Sequence, residues 1–294
     1  MPELPEVETL RRSLLPLALD QPITAVHDRF PGYTRPHPHT PLNALVGRPI
    51  TALKRHGKQL ALLTGPNDAG PCLLIHLGMS GRFTFHPSSG RPASPDGSPN
   101  RHDHLTLELP TGHLTLHDPR RFGGAWVYPS FDTLHAERWS PLGPDALELD
   151  QPQHADTLAN ALKRTKRFLK AALLDQFVVA GLGNIYVDEL LFRARLSPIL
   201  RAHRLTRDQA HRIAELAPPL LREAIDAGGS SLRDYTDARS QPGGFQLQHR
   251  VYGRAGQPCL TCDATLIHGL VAARATVACP QCQSVSPRSL RRAR

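Results

Sequence analysis

Two cysteine pairs near the end of the chain constrain its folding more than any other feature. Cys259 and Cys262 form one C-x-x-C pair, Cys279 and Cys282 form another, and sixteen residues separate the two pairs. This spacing is typical of a tetrahedral zinc ion, with each pair clamping one edge of the tetrahedron from a tight turn. A redox role is the alternative for a C-x-x-C pair, but two pairs at this separation favour a metal. Four protein ligands close the site, so we predict one structural Zn²⁺ ion that holds a β-hairpin carrying Arg274.

Length, composition and charge narrow the class of protein. The 294 residues suffice for two domains and an appended module, and a hydrophobic content of 40% is enough for a packed core. The formal net charge is +9, and residues 250–294 hold +6 of it through seven arginines and one acid, Asp263. Such a balance indicates a polyanionic partner, most often nucleic acid.

The sequence shows no sign of membrane insertion or export. No apolar run reaches about 18 residues, and the acidic N-terminus lacks the apolar stretch of a signal peptide. We therefore expect a cytoplasmic protein without a membrane partner. In a reducing compartment the paired cysteines favour metal over disulfides, and the isolated Cys72 is predicted to be a buried core residue.

The first half of the chain predicts one helix followed by many short strands. Val7, Leu10 and Leu14 recur at helical spacing, which predicts a helix from Pro5 to about Leu15 that stops at Pro16. From about residue 23 to residue 128, short apolar runs alternate with Gly, Pro and Asn turns, which favours a β-sandwich or barrel. One predicted hairpin, over residues 50–63, turns at residues 55–58.

The second half predicts helices. Residues 129–152 carry several prolines and are predicted to be a linker, and helical patterns begin at about His154. A second helix is predicted over residues 185–194. Thr206 and Gln209 form a capping-box pattern that opens a third helix, which a Gly-Gly pair at 228–229 ends. Residues 230–248 are polar and are predicted to be a loop.

The first eight residues suggest covalent chemistry. If the initiator methionine is removed, Pro2 becomes a free secondary amine, and Glu3, Glu6 and Glu8 supply carboxylates beside it. A secondary amine next to a carboxylic acid can form an iminium with an aldehyde-like carbon. The alternative is that Pro2 only permits methionine removal and the glutamates complement a helix dipole.

Three further patterns suggest contact with nucleic acid. Arg120 and Arg121 can hold phosphates, while Phe122 and Met79, each on a loop or turn with glycine nearby, could wedge between bases. The alternative is a surface charge pair beside a core phenylalanine. Residues 181–184 form a glycine turn before a helix, whose N-terminus can receive a phosphate, although a Rossmann motif is excluded. The segment His102, Asp103 and His104 has no further metal ligand nearby and precedes a strand, so a structural or phosphate-facing role is favoured over metal binding.

Together the motifs resemble one family. The motifs M-P-E-L-P-E-V-E-T at the start, H-L-G-M-S-G at 76–81, D-P-R-R-F-G at 118–123 and G-L-G-N-I-Y at 181–186 occur in this order before the cysteine pairs. The chain therefore closely resembles bacterial formamidopyrimidine-DNA glycosylases from Pro2 to about Gln283. The related endonuclease VIII branch usually has glycine where this chain has Leu4. The resemblance does not cover residues 284–294. Within the covered part, the chain departs from the family pattern at His117, Gly124 and the loop at 87–101.

The resemblance implies a catalytic role for four residues. The family nucleophile is its mature N-terminal proline, here Pro2, which attacks C1′ of a damaged purine nucleotide and forms a Schiff base. Glu3 corresponds to the acid/base group that assists base release. Lys58 corresponds to a proton donor in β-elimination. Arg274 corresponds to a phosphate-binding arginine with a part in δ-elimination.

The resemblance also implies DNA contacts and supporting carboxylates. Met79, Arg120 and Phe122 correspond to the family residues that fill the gap left by the flipped base. Arg120 would face the orphaned cytosine. The family residues that contact the DNA backbone correspond to His102, Arg121 and Asn184. Carboxylates near the site correspond to Glu6 and Glu189.

The implied architecture is a multidomain α+β fold. It comprises an N-terminal β-sandwich with an N-terminal helix (residues 1–135), a helical domain with a helix–two-turn–helix motif and a lesion-capping loop (136–248), and a zinc finger with a basic tail (249–294). DNA would lie in a basic cleft between domains.

The resemblance implies a bifunctional glycosylase and abasic-site lyase for oxidised purines, acting as a nucleoid-associated monomer on damaged double-stranded DNA. The alternatives are an endonuclease VIII-like glycosylase for oxidised pyrimidines and a non-catalytic zinc-finger DNA-binding protein. Leu4 and the set of Met79, Arg120 and Phe122 argue against the first alternative. The second is disfavoured by the presence of Pro2, Glu3 and Lys58.

Overall fold

The computed structural model of the chain describes residues 2–30, 32–88, 100–231 and 235–292. Its contacts divide the chain into a first unit, Met1–Pro141 with Ile225–Gly244, and a second unit, Leu142–Ala224 with Phe245–Arg294. This division differs from the expected boundaries at residues 135 and 248, because residues 225–244 group with the N-terminal part of the chain. Most of the predicted loop at 87–101 lies outside the described residues.

The first unit begins with helix α1 (Leu4–Ala18), which a capping box between Glu3 and Glu6 opens. Val7, Leu10 and Leu14 are buried as the spacing predicts. The helix does not stop at Pro16, which lies inside its last turn. Proline removes one helical N–H, but the chain continues helically because Leu19 N–H still donates to Leu15 O at 3.1 Å.

Short strands make up most of the first unit. Among its described residues these are β1 (Ala25–Asp28), β2 (Thr34–Pro36), β3 (Ile50–His56), β4 (Gln59–Thr64), β5 (Cys72–His76), β6 (Arg82–Pro87), β7 (Asp103–Leu109), β8 (Gly112–His117) and β9 (Gly124–Tyr128). One sheet has the order β1-β7-β8-β6 and the other the order β2-β9-β5-β4-β3. Leu73 and Ile75 from the second sheet, Leu105 and Leu107 from the first, and Leu10 from α1 share one core. The predicted β-sandwich is confirmed.

The segment predicted to be a linker covers the outer face of the larger sheet instead. Helix α2 (Phe131–Leu134) runs into a π-helical turn, His135–Trp139. Leu134 and Trp139 pack with Cys72, which is buried as predicted, in a second cluster on this face. The linker prediction was wrong because Phe131, Leu134 and Trp139, which lie between the prolines at 129 and 141, pack on the sheet and order the segment.

Helices dominate the second unit. They are α3 (Pro152–Lys163), α4 (Leu169–Leu173), α5 (Asn184–Ala194) and most of α6 (Arg207–Asp226). The predicted capping box opens α6, with Gln209 N–H donating to Thr206 Oγ1 and Thr206 N–H donating to Gln209 Oε1, both at 3.1 Å. No helix among the described residues is long and apolar enough to cross a membrane.

A β-hairpin and a terminal helix complete the second unit. Strands β10 (Ile267–Val271) and β11 (Arg274–Ala278) pair antiparallel, and α7 (Pro287–Arg292) follows them. Leu290 of α7 is fully buried with Val271 and Val285. The start of the C-terminal extension therefore packs against the hairpin.

The segment after α6 returns to the first unit through hydrogen bonds to α1. Ser230 N–H donates to Glu6 Oε1 at 2.7 Å, and Tyr235 O–H donates to the carbonyl oxygen of Glu6 at 2.9 Å. Ala238 N–H donates to Ser13 Oγ at 3.0 Å. These bonds explain why residues 225–244 do not group with the helices that precede them.

Glu8 links α1 to the hairpin of β3 and β4. Its Oε2 accepts from Arg55 Nε at 3.1 Å, and both side chains are nearly buried. Arg55 also donates to the carbonyl oxygen of Gly57 at 3.0 Å, in the turn that precedes Lys58. Burial raises the pKa of Glu8, but its bonds to Arg11 and the charge of Arg55 outweigh burial and lower the pKa to about 2.

Replacing Glu8 should therefore cost stability in a pH-dependent way. Glu8→Gln removes the negative charge that accepts from Arg55 and Arg11, so we expect the first unit to lose about 1–3 kcal/mol at pH 7. The pKa of Glu8 is depressed on folding, so its contribution is complete above about pH 4.5 and is lost as the pH falls towards about 2. Both tryptophans, Trp126 and Trp139, lie in the first unit, so their fluorescence during urea unfolding measures this difference.

The control for this prediction is Glu137→Gln, which removes an exposed glutamate of the same unit. Its unfolding should match that of the wild type at both pH 7 and pH 3. An equal loss for Glu8→Gln at both pH values would contradict the assigned ion pair.

Candidate active site and metal centre

The N-terminal residues that the sequence singled out are held rigidly. Pro2 is buried and Glu3 is 2% exposed at the start of α1. Glu3 N–H donates to Glu6 Oε2 at 2.8 Å, while Glu6 Oε1 accepts from Ser230 N–H at 2.7 Å. The Glu6 carboxylate therefore fixes two separate backbone segments, one at Glu3 and one at Ser230.

Lys58 lies on the turn between β3 and β4 and is 9% exposed. Gly57, at φ +55°, lets the chain turn sharply there. The adjacent Gln59 pairs with His76 on β5. Burial, and then the positive charges of Lys58 and Arg138, lower the pKa of His76 to about 4. His76 is therefore neutral at pH 7.

Two turns of the first unit present large apolar side chains to solvent. Met79 is 43% exposed and Phe122 is 57% exposed, which excludes the alternative that Phe122 belongs to the core. The Arg120 guanidinium lies 4.7 Å from the centroid of the Phe122 ring. A Cβ on Gly78 would lie 2.4 Å from the carbonyl carbon of Phe122. The two turns are therefore in direct backbone contact.

The His-Asp-His sequence serves the packing of this region. His104 is 2% exposed, and its Nε2–H donates to the carbonyl oxygen of Asp118 at 2.8 Å. The side chains of Asp103 and His117 bond to each other at 2.8 Å, and Arg101 Nε–H donates to His102 Nε2 at 3.0 Å. Within the described ranges, the cysteine cluster is the only metal-ligand group found.

A buried ion pair supports the hairpin in the second unit. Lys170 Nζ lies 2.7 Å from Asp188 Oδ1, and the two side chains are 0% and 1% exposed. Burial raises the pKa of Asp188 to about 6, although Lys170 and the Val277 N–H lower it. Lys170 Nζ donates to Ala275 O at 2.7 Å, and Val277 N–H donates to Asp188 Oδ2 at 3.1 Å. Both bonds hold the backbone of β11.

Arg274 begins β11 and is exposed, directly after the hairpin turn. The two turn residues, Ala272 and Ala273, have φ of +49° and +58°, as a two-residue type I′ turn requires. Asn184, at the start of α5, donates from Nδ2 to Ala275 O at 2.9 Å. Two predicted site residues, Asn184 and Arg274, therefore lie close together in the second unit.

Glu189 is fully buried and binds the chain that leads into the cysteine region. Its carboxylate accepts the N–H groups of Arg250, Val251 and Tyr252 at 2.8 to 3.0 Å. Such a run of backbone donors satisfies a buried carboxylate. Glu189 thus orients backbone rather than an exposed side chain.

The four cysteines fit a tetrahedral metal ion. Their Sγ atoms all lie within 4.8 Å of one another, with separations of 3.4 Å for Cys262–Cys279, 3.5 Å for Cys262–Cys282 and 4.0 Å for Cys259–Cys282. Metal–sulfur bonds of about 2.3 Å place tetrahedral ligands about 3.8 Å apart. The four thiols therefore form one cluster with the spacing that a tetrahedral metal ion requires.

Comparisons with known proteins agree with this geometry. Residues 1–125 match the model of the formamidopyrimidine-DNA glycosylase N-terminal domain, and residues 142–236 match that of the formamidopyrimidine-DNA glycosylase H2TH domain. The formamidopyrimidine-DNA glycosylase of Desulfitobacterium hafniense is 38% identical over 284 residues, which is 96% of this chain and 100% of that protein. The chain belongs to the formamidopyrimidine-DNA glycosylase family.

Solved structures of the family share the fold. The MutM (Fpg) protein of Thermus thermophilus matches with a TM-score of 0.83 and 40% identity, over 97% of this chain and 100% of that one. A variant of the Lactococcus lactis Fpg, solved with a DNA that contains Fapy-dG, matches with a TM-score of 0.84 and 31% identity over the same shares.

Several residues that organise the site in this glycosylase-family chain were not predicted from the sequence. They are His76, Asp118, Lys170, Ser230 and Tyr235. His76 and Asp118 do occur inside the recognised motifs, which was the available signal. Ser230 and Tyr235 follow Glu6 by more than 220 residues, and no local pattern reveals such a contact.

Removing Lys170 should weaken the second unit. Lys170→Met leaves Asp188 buried without its cation, so we expect a loss of about 3–5 kcal/mol, seen as a lower melting temperature by circular dichroism. Lys163→Met removes an exposed lysine of the same unit and should melt as the wild type does. Equal melting of the two variants would show that the ion pair contributes nothing.

Proposed function

We propose that this chain is a bifunctional DNA glycosylase and abasic-site lyase of base excision repair that removes 8-oxoguanine and formamidopyrimidines from double-stranded DNA. The observation that carries the proposal is the N-terminus of α1. Pro2 directly precedes Glu3, whose backbone the buried Glu6 holds, in a chain of this glycosylase family. The roles of the other residues rest on their positions in the sequence motifs that this chain shares with the family.

Pro2 supplies the nucleophile once Met1 is removed. An unprotonated α-amino group is available near neutral pH because its pKa is about 7.7–8.0. Its nitrogen bonds to C1′ as the glycosidic bond breaks, and the departing base takes a proton. Opening of the sugar ring leaves an iminium between Pro2 and C1′. Glu3 serves as the acid/base group of this step.

The iminium then permits strand cleavage. Loss of a proton from C2′ expels the 3′ phosphate in β-elimination, and a second proton loss expels the 5′ phosphate in δ-elimination. Lys58, nearly buried on its glycine turn, is the proton donor of the first elimination. Arg274 binds phosphate and assists the second elimination.

Base release requires that the damaged nucleotide leaves the stack. Met79 and Phe122, exposed on adjoining turns, would fill the gap, and Arg120 would face the orphaned cytosine. His102 and Arg121 would contact the DNA backbone from the first unit, as Asn184 would from the second. Of the three residues proposed to contact the DNA backbone, Arg121 carries a guanidinium and His102 an imidazole, and both groups suit phosphates.

A zinc ion is the metal that the four cysteines suit best, because thiolate ligands in tetrahedral geometry favour it. When bound, it would cross-link the two cysteine turns and carry no chemical step. Cys259, Cys262, Cys279 and Cys282 would hold it. Its contribution is to fix the segment that presents Arg274.

A blocked N-terminus tests the proposed nucleophile. We expect a protein with an uncleaved peptide before Pro2 to bind a duplex with 8-oxoguanine opposite cytosine, but to lose both strand cleavage and covalent trapping by borohydride. The amine is then an amide nitrogen, which cannot form an iminium. The measurement is the trapped complex on a denaturing gel.

Four outcomes of this assay separate the alternatives. Trapping of the unblocked protein on the 8-oxoguanine duplex supports the proposal. Trapping only on a duplex with an oxidised pyrimidine favours an endonuclease VIII-like enzyme. Binding without trapping on either duplex favours a non-catalytic DNA-binding protein, and undiminished trapping with the blocked protein rejects Pro2.

Removal of the metal tests the role of the cysteine module. We expect a zinc chelator to abolish specific binding of lesion DNA, because metal binding and folding are coupled in such modules. The fluorescence of Trp126 and Trp139, both in the first unit, should melt at an unchanged temperature. DNA affinity that survives complete removal of the metal would show that the module does not contribute to binding.

A further inference from the structure

Asp118 is a fully buried carboxylate to which the proposed reaction assigns no role. Its side chain is 0% exposed. Oδ1 accepts from Ser80 Oγ–H at 2.8 Å, and Oδ2 accepts from Gly123 N–H at 2.8 Å and from Tyr33 O–H at 3.2 Å. Three donors from separate parts of the first unit thus converge on one side chain. A buried anion is tolerated only when such donors surround it.

Two of these donors are direct neighbours of the exposed apolar residues. Ser80 follows Met79 in one turn, and Gly123 follows Phe122 in the other. Each turn is therefore bonded to a different oxygen of the same carboxylate. A Cβ on Gly78 would lie 2.3 Å from Gly123 N, so the two backbones touch as well.

The carboxylate is itself anchored to the β-sandwich. Asp118 N–H donates to His102 O at 3.0 Å, and its carbonyl oxygen accepts from His104 Nε2–H at 2.8 Å. The Tyr33 ring packs on the His104 ring at a centroid distance of 4.4 Å. Burial, followed by the charge of Asp118, raises the pKa of Tyr33, so its hydroxyl stays protonated and able to donate.

We propose that Asp118 is a positioning residue that couples the Met79 turn to the Phe122 turn, so that both side chains enter the duplex as one rigid wedge. This inference rests on the proposed function, because it assumes that Met79 and Phe122 displace a base. The physical reason is preorganisation. Two tethered turns lose less conformational freedom on insertion than two independent loops.

The proposal predicts a defect that depends on the DNA. Asp118→Asn keeps the shape but loses the charge, and its amide nitrogen cannot accept from the donors it faces. We expect excision of 8-oxoguanine opposite cytosine to slow by about tenfold or more. On a duplex whose abasic site faces a second abasic site, the rate of borohydride trapping should stay within about threefold of the wild-type rate, because no stacked pair must be opened there.

Milder variants keep the test decisive if Asp118→Asn unfolds. Ser80→Ala and Tyr33→Phe each remove one donor and leave the carboxylate in place. The matched control is Tyr128→Phe, another buried tyrosine of the first unit, which should behave as the wild type does on both duplexes. In a Met79→Ala background, Ser80→Ala should add little, because its effect passes through the same side chain.

The outcomes distinguish the proposal from its alternatives. Equal losses on both duplexes for Ser80→Ala, or full additivity with Met79→Ala, would show that Asp118 only stabilises the fold and would overturn the proposal. Unchanged excision by the Asp118 variant would also overturn it. Absence of trapping by the wild type on either duplex would instead reject the proposed enzymatic function.

Discussion

The carboxylate of Glu6 holds together the part of the molecule on which the proposed chemistry depends. It accepts one N–H from Glu3 at 2.8 Å and one from Ser230 at 2.7 Å. A nearly buried charge is unstable without such donors, so each bond is also a constraint on the backbone that supplies it. The first constraint orients the start of α1, where Pro2 lies. The second brings the segment after α6 back to the β-sandwich.

The same device recurs at three other places. Asp118 binds two turns of the first unit, Asp188 binds β11, and Glu189 binds the backbone before the cysteine region. None of these carboxylates is exposed. For Glu6, Asp118 and Asp188, the buried carboxylate fixes the backbone next to a residue that is proposed to act on DNA, whereas Glu189 fixes the backbone that leads into the cysteine region. The buried carboxylates therefore hold the segments that carry the proposed DNA-contacting residues, so those side chains are positioned before DNA binds.

The sequence predicted the residues of the candidate site better than their supports. Helix α1, the β3–β4 hairpin, the capping box of α6 and the four-cysteine cluster follow from local periodicity or spacing, and all are present. The linker at 129–152 and the end of α1 at Leu15 were wrong. In both cases a proline was taken as a break, whereas burial of Leu134 and Ala18 keeps the chain ordered.

By itself, the sequence determined which groups are the candidates for the chemistry: Pro2, which becomes an amine when Met1 is removed, the adjacent Glu3, Lys58 after a glycine, and four thiols at metal-ligand spacing. These groups are identified by residue type and by short spacing along the chain, and both can be read from the sequence. Only the tertiary structure decided that Ser230 is bound by Glu6, that Ser80 and Gly123 share Asp118, and that Lys170 holds the strand of Arg274. These contacts join residues far apart in the chain, and a buried charge selects its partners by position in space.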